Sequence, residues 1–230
     1  MIPSPLTRIH ALPQFRLAYT CAAYSILFRS FASKSIASKK TSSLSKSALS
    51  SDSTSPSSTT DTRDSTESNR RSLTYRAARN FEFEVVEAFR RLGIDSRRSG
   101  GTNDRGIDFR GRWTLTHPPT SIPVVGQCKW SRTRSIGPAH IRELAGTVAS
   151  ESPGTLGLLV AHKHGFTRMA TSAFTTSAVP LALAIVEGGR CKSLVWNIAA
   201  EKELRLAEWC VSALYAEDGK VSEVVLSWQG

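Results

Sequence analysis

The order of hydrophobic patterns after Leu73 constrains the fold of this chain more than any other feature. A helical pattern ends at Gly93, and three short alternating stretches follow it, separated by polar turn sequences. The predicted helices span residues 73–92, 137–150 and 166–177, and the predicted strands span 94–98, 106–113, 122–130, 155–161 and 181–186. This order predicts an α/β fold built around a central sheet.

The part of the chain after Gly188 is less informative. Residues 198–214 carry an amphipathic pattern that predicts a helix over 199–214, and residues 221–228 alternate like an edge strand. Both segments fit a structural cover or a contact in a homodimer. No stretch reaches the ~20 apolar residues that a membrane-spanning helix needs, so we expect no stable insertion into a membrane.

The N-terminal segment differs in composition from the rest of the chain. Residues 1–51 contain no acidic residue, and their Arg and Lys are scattered among Ser, Ala, Leu and Phe, as in mitochondrial transit peptides. The sequence around Arg29 resembles a matrix-peptidase site, with cleavage after Phe31. We therefore predict a transit peptide at 1–31 and a location in the mitochondrial matrix. The uncharged run at 17–28 leaves a secretory signal as an alternative.

The segment that follows is dominated by Ser and Thr. Residues 41–72 have almost no large apolar side chains, so they cannot bury enough surface to offset the entropy of ordering. We predict a disordered linker at 32–72 and a folded domain at 73–230, and its roughly 155 residues are enough for one core.

Charge and cysteine usage narrow the possible partners. The chain has 30 basic and 19 acidic residues and a formal net charge of +11, and residues 76–168 hold 15 of the basic and 8 of the acidic ones. This excess suits a polyanion such as DNA as well as a merely solubilising role. The four cysteines lie far apart, which argues against a zinc site or a disulfide framework.

Polar residues occur where the predicted elements should be buried. Gln127 and Lys129 share one face of a strand because strand side chains alternate. Asp108 enters the preceding strand, and pairing of the two strands would bring it close to both. Glu82 lies on the apolar face of the first helix, where a carboxylate is costly unless it pairs with an arginine or binds a metal. A carboxylate, an amide oxygen and an ammonium suit a hard divalent cation beside a phosphodiester.

Three short motifs follow one another along the chain: Phe81-Glu82, Asp104-Arg-Gly-Ile-Asp108 and Gln127-Cys-Lys129. They resemble the Mrr-like branch of the PD-(D/E)xK restriction-endonuclease superfamily over residues 75–190. With the N-terminal signal, the chain is similar to the fungal mitochondrial "required for respiratory growth" family that carries this core. The resemblance implies a restriction-endonuclease-like three-layer fold, in which helices flank a central mixed sheet, and hydrolysis of the DNA backbone.

The resemblance also implies a role for each motif residue. Asp108 would be the central ligand of Mg²⁺ or Mn²⁺, joined by the Gln127 side-chain oxygen, the Cys128 backbone carbonyl and Glu82, which would reach the ion directly or through water. Lys129 would orient or deprotonate the attacking water. In the turn before Asp108, the preceding aspartate of the motif would support the turn or bind a second ion, or simply cap the turn.

Arginines flank the predicted site and suit contacts to phosphates. They are Arg97, Arg98, Arg105, Arg110, Arg112, Arg132 and Arg134. The expected substrate is mitochondrial DNA, in genome maintenance or repair. Because a fold does not guarantee an activity, a DNA-binding module that does not cleave is the main alternative. A matrix protein whose motifs serve only the core is a third.

Overall fold

The computed structural model describes residues 17–18, 61–99 and 106–229. Apart from Leu17–Ala18, the predicted transit peptide lies outside the described residues, and so does the predicted linker up to residue 60. The chain divides into two compact units, one of residues 1–21 and 77–230 and the other of residues 22–76. Both sheets formed by the described residues belong to the first unit.

Helix α1, Asp61–Arg90, begins inside the stretch predicted to be a disordered linker. Residues 61–92 contain neither Pro nor Gly, so nothing in this stretch stops the helix from extending through residues of modest helix propensity. The helix buries Phe81, Val85 and Phe89. Gly93 follows it with a φ of +79°, a conformation that favours glycine.

The central sheet has six strands in the order β2-β3-β4-β5-β6-β7. The strands are β2 Ile94–Arg98, β3 Phe109–Thr116, β4 Pro119–Lys129, β5 Leu156–His162, β6 Leu181–Glu187 and β7 Arg190–Trp196. Strands β2, β3 and β4 form an antiparallel meander, β4, β5 and β6 are parallel, and β7 is antiparallel to β6. Parallel neighbours require crossovers, which α2 (Pro138–Ala149) and α3 (Arg168–Thr175) supply.

Helices cover both faces of this sheet. On one face, α1 packs through Phe89 on a core that includes Phe109 of the sheet. On the other face, α2 and α3 pack through Leu144 and Phe174 on a core that includes Leu159. The predicted three-layer α/β fold with a central mixed sheet is therefore confirmed. Among the described residues, no helix has both the length and the apolar character needed to cross a membrane.

The C-terminal part corrects the sequence prediction. Only a short helix, α4 (Ile198–Glu203), forms where we predicted a helix over 199–214, and residues 209–215 form a strand instead. The helix ends before Arg205, which has a φ of +57°. In the same segment Trp209, Val211 and Ala213 alternate along the chain, and their strand pairs with the confirmed strand at 221–228.

A second, three-stranded sheet contains this strand. It is made of β1 Leu17–Ala18, β8 Trp209–Tyr215 and β9 Val221–Trp228, in the order β1-β8-β9. Val224 of β9 is buried and belongs to the same core cluster as α1. This sheet therefore serves as a structural cover, one of the two roles that the sequence suggested for this region.

Candidate active site

Asp108 lies where β3 begins, beside the carboxyl end of β4. Phe109 pairs with Gly126, and the backbone N–H of Asp108 donates to the Gly126 carbonyl at 2.9 Å. Two residues further along β4, the backbone N–H of Cys128 donates a hydrogen bond of 2.6 Å to the Asp108 carboxylate. At the start of β3, the Asp108 side chain thus accepts the hydrogen bond that a backbone carbonyl would accept further along the strand pair.

Gly126 makes this close approach of the two strands possible. A Cβ atom at Gly126 would lie 1.9 Å from the ring of Phe109, so the ring occupies the space that a side chain would need. The same ring packs edge-to-face against Phe89 of α1, with 5.7 Å between the ring centroids. Glycine at this position therefore leaves room for the Phe109 ring. Because Asp108 directly precedes Phe109 in the chain, this also helps to place Asp108 beside Cys128.

Gln127 and Lys129 lie on the face of β4 that is covered by α2, as strand alternation predicted. Gln127 is fully buried. The Lys129 side chain is 24% exposed, and its Nζ lies 3.8 Å from Oε1 of Glu143 in α2. A Cβ at Gly106 would be 2.9 Å from Nε2 of Gln127 and 3.0 Å from the same Glu143 oxygen. The residues before Asp108, the Gln-x-Lys strand and α2 therefore converge at Gly106.

Sequence reasoning missed Glu143. The segment from Ile141 to Leu144 stood out for its apolar helical spacing and its resemblance to the Mrr-like branch, but neither assigned a role to Glu143; Ile141 and Leu144 are buried. The available signal was an acidic residue in the first half of the helix that directly follows the Gln-x-Lys strand. Recognising its role required knowing which face of the sheet this helix covers.

Glu82 lies on the opposite, α1-covered side of the sheet and pairs with an arginine. Nη2 of Arg98, in β2, lies 2.6 Å from its Oε2 atom, and Nε of Arg98 donates to the same oxygen at 2.8 Å. The Arg98 guanidinium also lies over the ring of Phe83, 4.4 Å from its centroid. The ion pair that the sequence left open as an explanation for Glu82 is present, with both side chains mostly buried.

The pKa of the Cys128 thiol depends on its burial and on four charged groups. Burial raises the pKa of this thiol well above its ordinary value, and the negative charges of Asp108 and Glu82 raise it further. Lys129 and Arg98 act on it in the opposite direction. Three predicted site residues, Glu82, Asp108 and Lys129, therefore influence this one thiol, although Glu82 and Lys129 belong to opposite faces of the sheet.

The types of donor present decide whether the site suits a metal ion. No group of three His, Cys, Asp or Glu side chains within residues 61–99 and 106–229 is arranged to hold one. The donors present are oxygens: the Asp108 carboxylate and, since the N–H and C=O of a strand residue face the same neighbour, the Cys128 carbonyl beside it. Mg²⁺ accepts such a set because it is usually bound by one or two carboxylates and keeps several waters. The residues fit a hard divalent cation of this kind.

The flanking arginines differ in whether a carboxylate already pairs with their guanidinium group. Arg97, Arg112, Arg132 and Arg134 are exposed, whereas Arg98 pairs with Glu82 and Arg110 pairs with Glu151. Arg110 donates to both carboxylate oxygens of Glu151, at 2.8 and 2.9 Å, and this contact raises the pKa of Arg110. Two members of the predicted phosphate-binding set are therefore already neutralised. Arg105 and the neighbouring Asp104 lie outside the described residues.

Comparison with known proteins gives three similarities. Residues 76–188 match the family model Mrr_cat, described as restriction endonuclease. An uncharacterized mitochondrial protein of Schizosaccharomyces pombe is 35% identical over 106 residues, which cover 45% of this chain and 41% of that protein. A solved structure of the MspJI restriction endonuclease in complex with a 27-mer oligonucleotide is 23% identical, with a TM-score of 0.35, over 60% of this chain and 33% of its own.

The chain spans less than half the length of the fission-yeast relative. The family match covers the second half of α1, the meander, both crossovers and strands β5 and β6, and it includes all three motifs quoted above. Over residues 76–188, just under half of its length, the chain matches a restriction-endonuclease family model, and this match supports a restriction-endonuclease-like superfamily for that region.

Proposed function

We propose that this protein is an endonuclease that uses a divalent metal ion to hydrolyse the phosphodiester backbone of DNA. The observation that carries the proposal is the Asp108 carboxylate, held at 2.6 Å by the Cys128 N–H beside the strand end that carries Lys129. Glu82 is a second carboxylate, whose charge also raises the pKa of the Cys128 thiol. A module that only bound DNA would have no use for two carboxylates here, because they repel phosphates. Together with a cation they suit phosphodiester hydrolysis.

The oxygen donors would hold Mg²⁺ or Mn²⁺ in this proposal. Asp108 would be the central ligand, and the Cys128 carbonyl and the Gln127 side-chain oxygen, both on β4, would contribute to the set. Glu82 would reach the ion directly or through water once it exchanged its contact with Arg98. When bound, the ion supplies positive charge beside the phosphate and makes a bound water more acidic.

Lys129 provides the other positive charge of the site. Its side chain is mostly buried, and its Nζ lies at ion-pair distance from Glu143, so we assign it the role of a cation. As an ammonium, Lys129 donates hydrogen bonds that orient the attacking water. It also stabilises the negative charge that develops on the phosphoryl oxygens in the transition state.

DNA would approach over the exposed arginines near the site. Arg97, Arg132 and Arg134 can contact phosphates, and such contacts position a duplex without reading its sequence. The proposed substrate is mitochondrial DNA, and the proposed role is genome maintenance that supports respiratory growth. The acid-free N-terminal segment and the mitochondrial name of the fission-yeast relative support this location, for which we propose the matrix.

One observation favours a binding module that does not cleave. Arg98 holds Glu82 through two contacts to one oxygen, which neutralises one of the two carboxylates on which metal binding depends. If this pair persisted with DNA bound, Asp108 would be the only protein carboxylate near the phosphate among the residues assigned to the site.

Incubation of the purified full chain with supercoiled plasmid DNA tests the proposal. We expect nicked and linear products with Mg²⁺ or Mn²⁺ and none with EDTA. Lys129→Met should abolish cleavage but still retard DNA on a gel, whereas Arg142→Ala, an exposed residue of α2, should cleave like the wild type. Retardation without cleavage under every metal condition would instead support the binding module.

A further inference from the structure

Glu143 is an acidic residue that the proposed chemistry does not use, although it lies at the site. It belongs to α2, whose buried residues Ile141 and Leu144 pack that helix against the sheet on the face that carries Gln127 and Lys129. The packing of α2 places the Glu143 carboxylate, which is 45% exposed, next to the strand end.

The two oxygens of the Glu143 carboxylate have different surroundings. Oε1 lies 3.8 Å from Nζ of Lys129 and 3.0 Å from the point where a Cβ of Gly106 would stand. Oε2 lies 3.2 Å from Nδ1 of His140, one turn earlier in the helix. His140 therefore holds one oxygen, which leaves the other directed toward Lys129 and the chain that leads into Asp108.

We propose that Glu143 is the positioning residue for Lys129 in the nuclease site, with His140 orienting the Glu143 carboxylate. The inference rests on the proposed function. A lysine carries its charge on a flexible four-carbon chain, so its ammonium occupies one place only when a neighbour holds it. The Glu143 carboxylate is that neighbour, and it comes from a different element than the one that carries Lys129.

The 3.8 Å separation suits this role. It is longer than the roughly 2.7–3.2 Å of an N–H···O hydrogen bond, so the attraction is mainly electrostatic and does not require one of the three ammonium protons. Lys129 can therefore be held by Glu143 and still donate to a water or a phosphate oxygen. A shorter hydrogen bond to Glu143 would compete with the substrate for those protons.

Gly106 links this pair to the motif that contains Asp108. It has a φ of +73°, and any side chain at this position would press against both Gln127 Nε2 and Glu143 Oε1. The glycine thus keeps open the space in which the amide and the carboxylate approach each other. Gly106→Ala should disturb both groups, so Glu143 is best tested by changing Glu143 itself.

Two variants separate positioning from a structural role. Glu143→Gln keeps the size of the side chain and removes its charge, whereas Glu143→Asp keeps the charge and withdraws it by one methylene. We expect Glu143→Gln to lower the single-turnover cleavage rate about tenfold, with the affinity for DNA and the melting temperature unchanged, and Glu143→Asp to fall between it and the wild type. Arg142→Ala, in the same helical turn, is the matched control and should not change the rate.

A measurement that needs no activity keeps this inference separate from the proposed function. An amine-reactive acylating reagent, with mass spectrometry of the peptides, reports how firmly each lysine is held. We expect Glu143→Gln to raise the labelling rate of Lys129 severalfold and to leave the rate of the exposed Lys163 unchanged. His140→Ala should raise the rate for Lys129 by a smaller factor.

The two tests fail in different ways. If the wild type cleaves DNA and Glu143→Gln changes neither the cleavage rate nor the labelling of Lys129, the inference is overturned while the proposed function stands. If the wild type cleaves nothing but Glu143→Gln still exposes Lys129 to the reagent, Glu143 holds the lysine as inferred and the proposed nuclease function fails.

Discussion

The carboxylate of Asp108 accepts a hydrogen bond of 2.6 Å from the backbone N–H of Cys128. The donor belongs to β4, a strand with neighbours on both sides, so the position of the carboxylate is fixed by a rigid part of the fold. In its proposed role as a metal ligand, Asp108 would lose little conformational freedom on binding an ion, which is the condition for a preorganised site.

The contact between Gly126 and Phe109 should limit what residue 126 can be. We expect Gly126→Ala to lower the free energy of unfolding by at least about 2 kcal/mol, because the new Cβ would fall 1.9 Å from the Phe109 ring. Urea denaturation followed by circular dichroism measures this. Gly146→Ala is the matched control: nothing lies within 4 Å of its Cβ position in helix α2, so it should stabilise by about 0.5–1 kcal/mol.

A second substitution tests whether the clash is responsible. Gly126→Ala combined with Phe109→Leu should be less destabilised than the sum of the two single variants, since the smaller side chain leaves room for the new methyl group. Additive losses would show that the ring of Phe109 is not what excludes a side chain at residue 126.

The ion pair between Glu82 and Arg98 should contribute to stability, because both side chains are mostly buried. We expect Arg98→Met to lower the free energy of unfolding by about 1–2 kcal/mol, since it leaves a partly buried carboxylate without its cation. Arg90→Met removes the exposed pair with Glu87 in the same helix and should change it by less than about 0.5 kcal/mol. Equal effects of the two substitutions on chemical denaturation would contradict this account.

The thiols of Cys128 and Cys191 should react slowly in the folded protein. Burial raises the pKa of Cys191 to about 12 and that of Cys128 well above its ordinary value, and only the thiolate is alkylated rapidly. We expect iodoacetamide at pH 8 to modify both far more slowly in the folded protein than in urea, as read from peptide masses. Because folding raises both pKa values, the protonated thiols contribute their full stabilisation below pH 9. This stabilisation declines as the pH rises above 9, and for Cys191 the decline extends to about pH 12.

The same reaction reports on Asp108. Its negative charge raises the pKa of the Cys128 thiol, so Asp108→Asn should lower that pKa and speed the alkylation of Cys128. The rate for Cys191 serves as the internal control and should not change. An unchanged rate for Cys128 would mean that Asp108 does not act on this thiol in solution.

The arginines should differ in their effect on DNA binding. We expect Arg132→Ala to weaken binding and to reduce the slope of log K against log salt by about one, because its exposed guanidinium can neutralise a phosphate. Arg110→Ala should have a smaller effect, since Glu151 already holds that guanidinium. Fluorescence anisotropy at several salt concentrations measures both, and a larger effect for Arg110→Ala would place the DNA on a different surface.

Much of the fold could be predicted because its elements have distinct periods. The continuous apolar strands and the amphipathic helices of the crossovers leave few alternatives to a central sheet. Strand β7 was not predicted because its buried residues, Cys191 and Leu194, are three residues apart rather than two. Its pairing with β6 also contains a register shift at Ile185/Val186. The segment around residues 204–214 fits helical and alternating patterns alike, and pairing with β9 decided between them.

The sequence predicted those contacts of the site that lie between strands adjacent in the chain. A meander brings Asp108 next to β4, so its closeness to the Gln-x-Lys strand followed from sequence order alone. The contacts of Glu82 with Arg98 and of Lys129 with Glu143 depend on how α1 and α2 pack on the sheet. No local pattern specifies that packing.

The single-turnover cleavage rate of Asp108→Asn tests the central claim most directly. It should be measured at saturating DNA with Mg²⁺, beside the wild type and Asp95→Asn, which changes an exposed carboxylate of β2. We predict a loss of at least about a hundredfold for Asp108→Asn, with the melting temperature and the DNA affinity retained and with Asp95→Asn equal to the wild type. Cleavage by Asp108→Asn at the wild-type rate would contradict the assignment of this site.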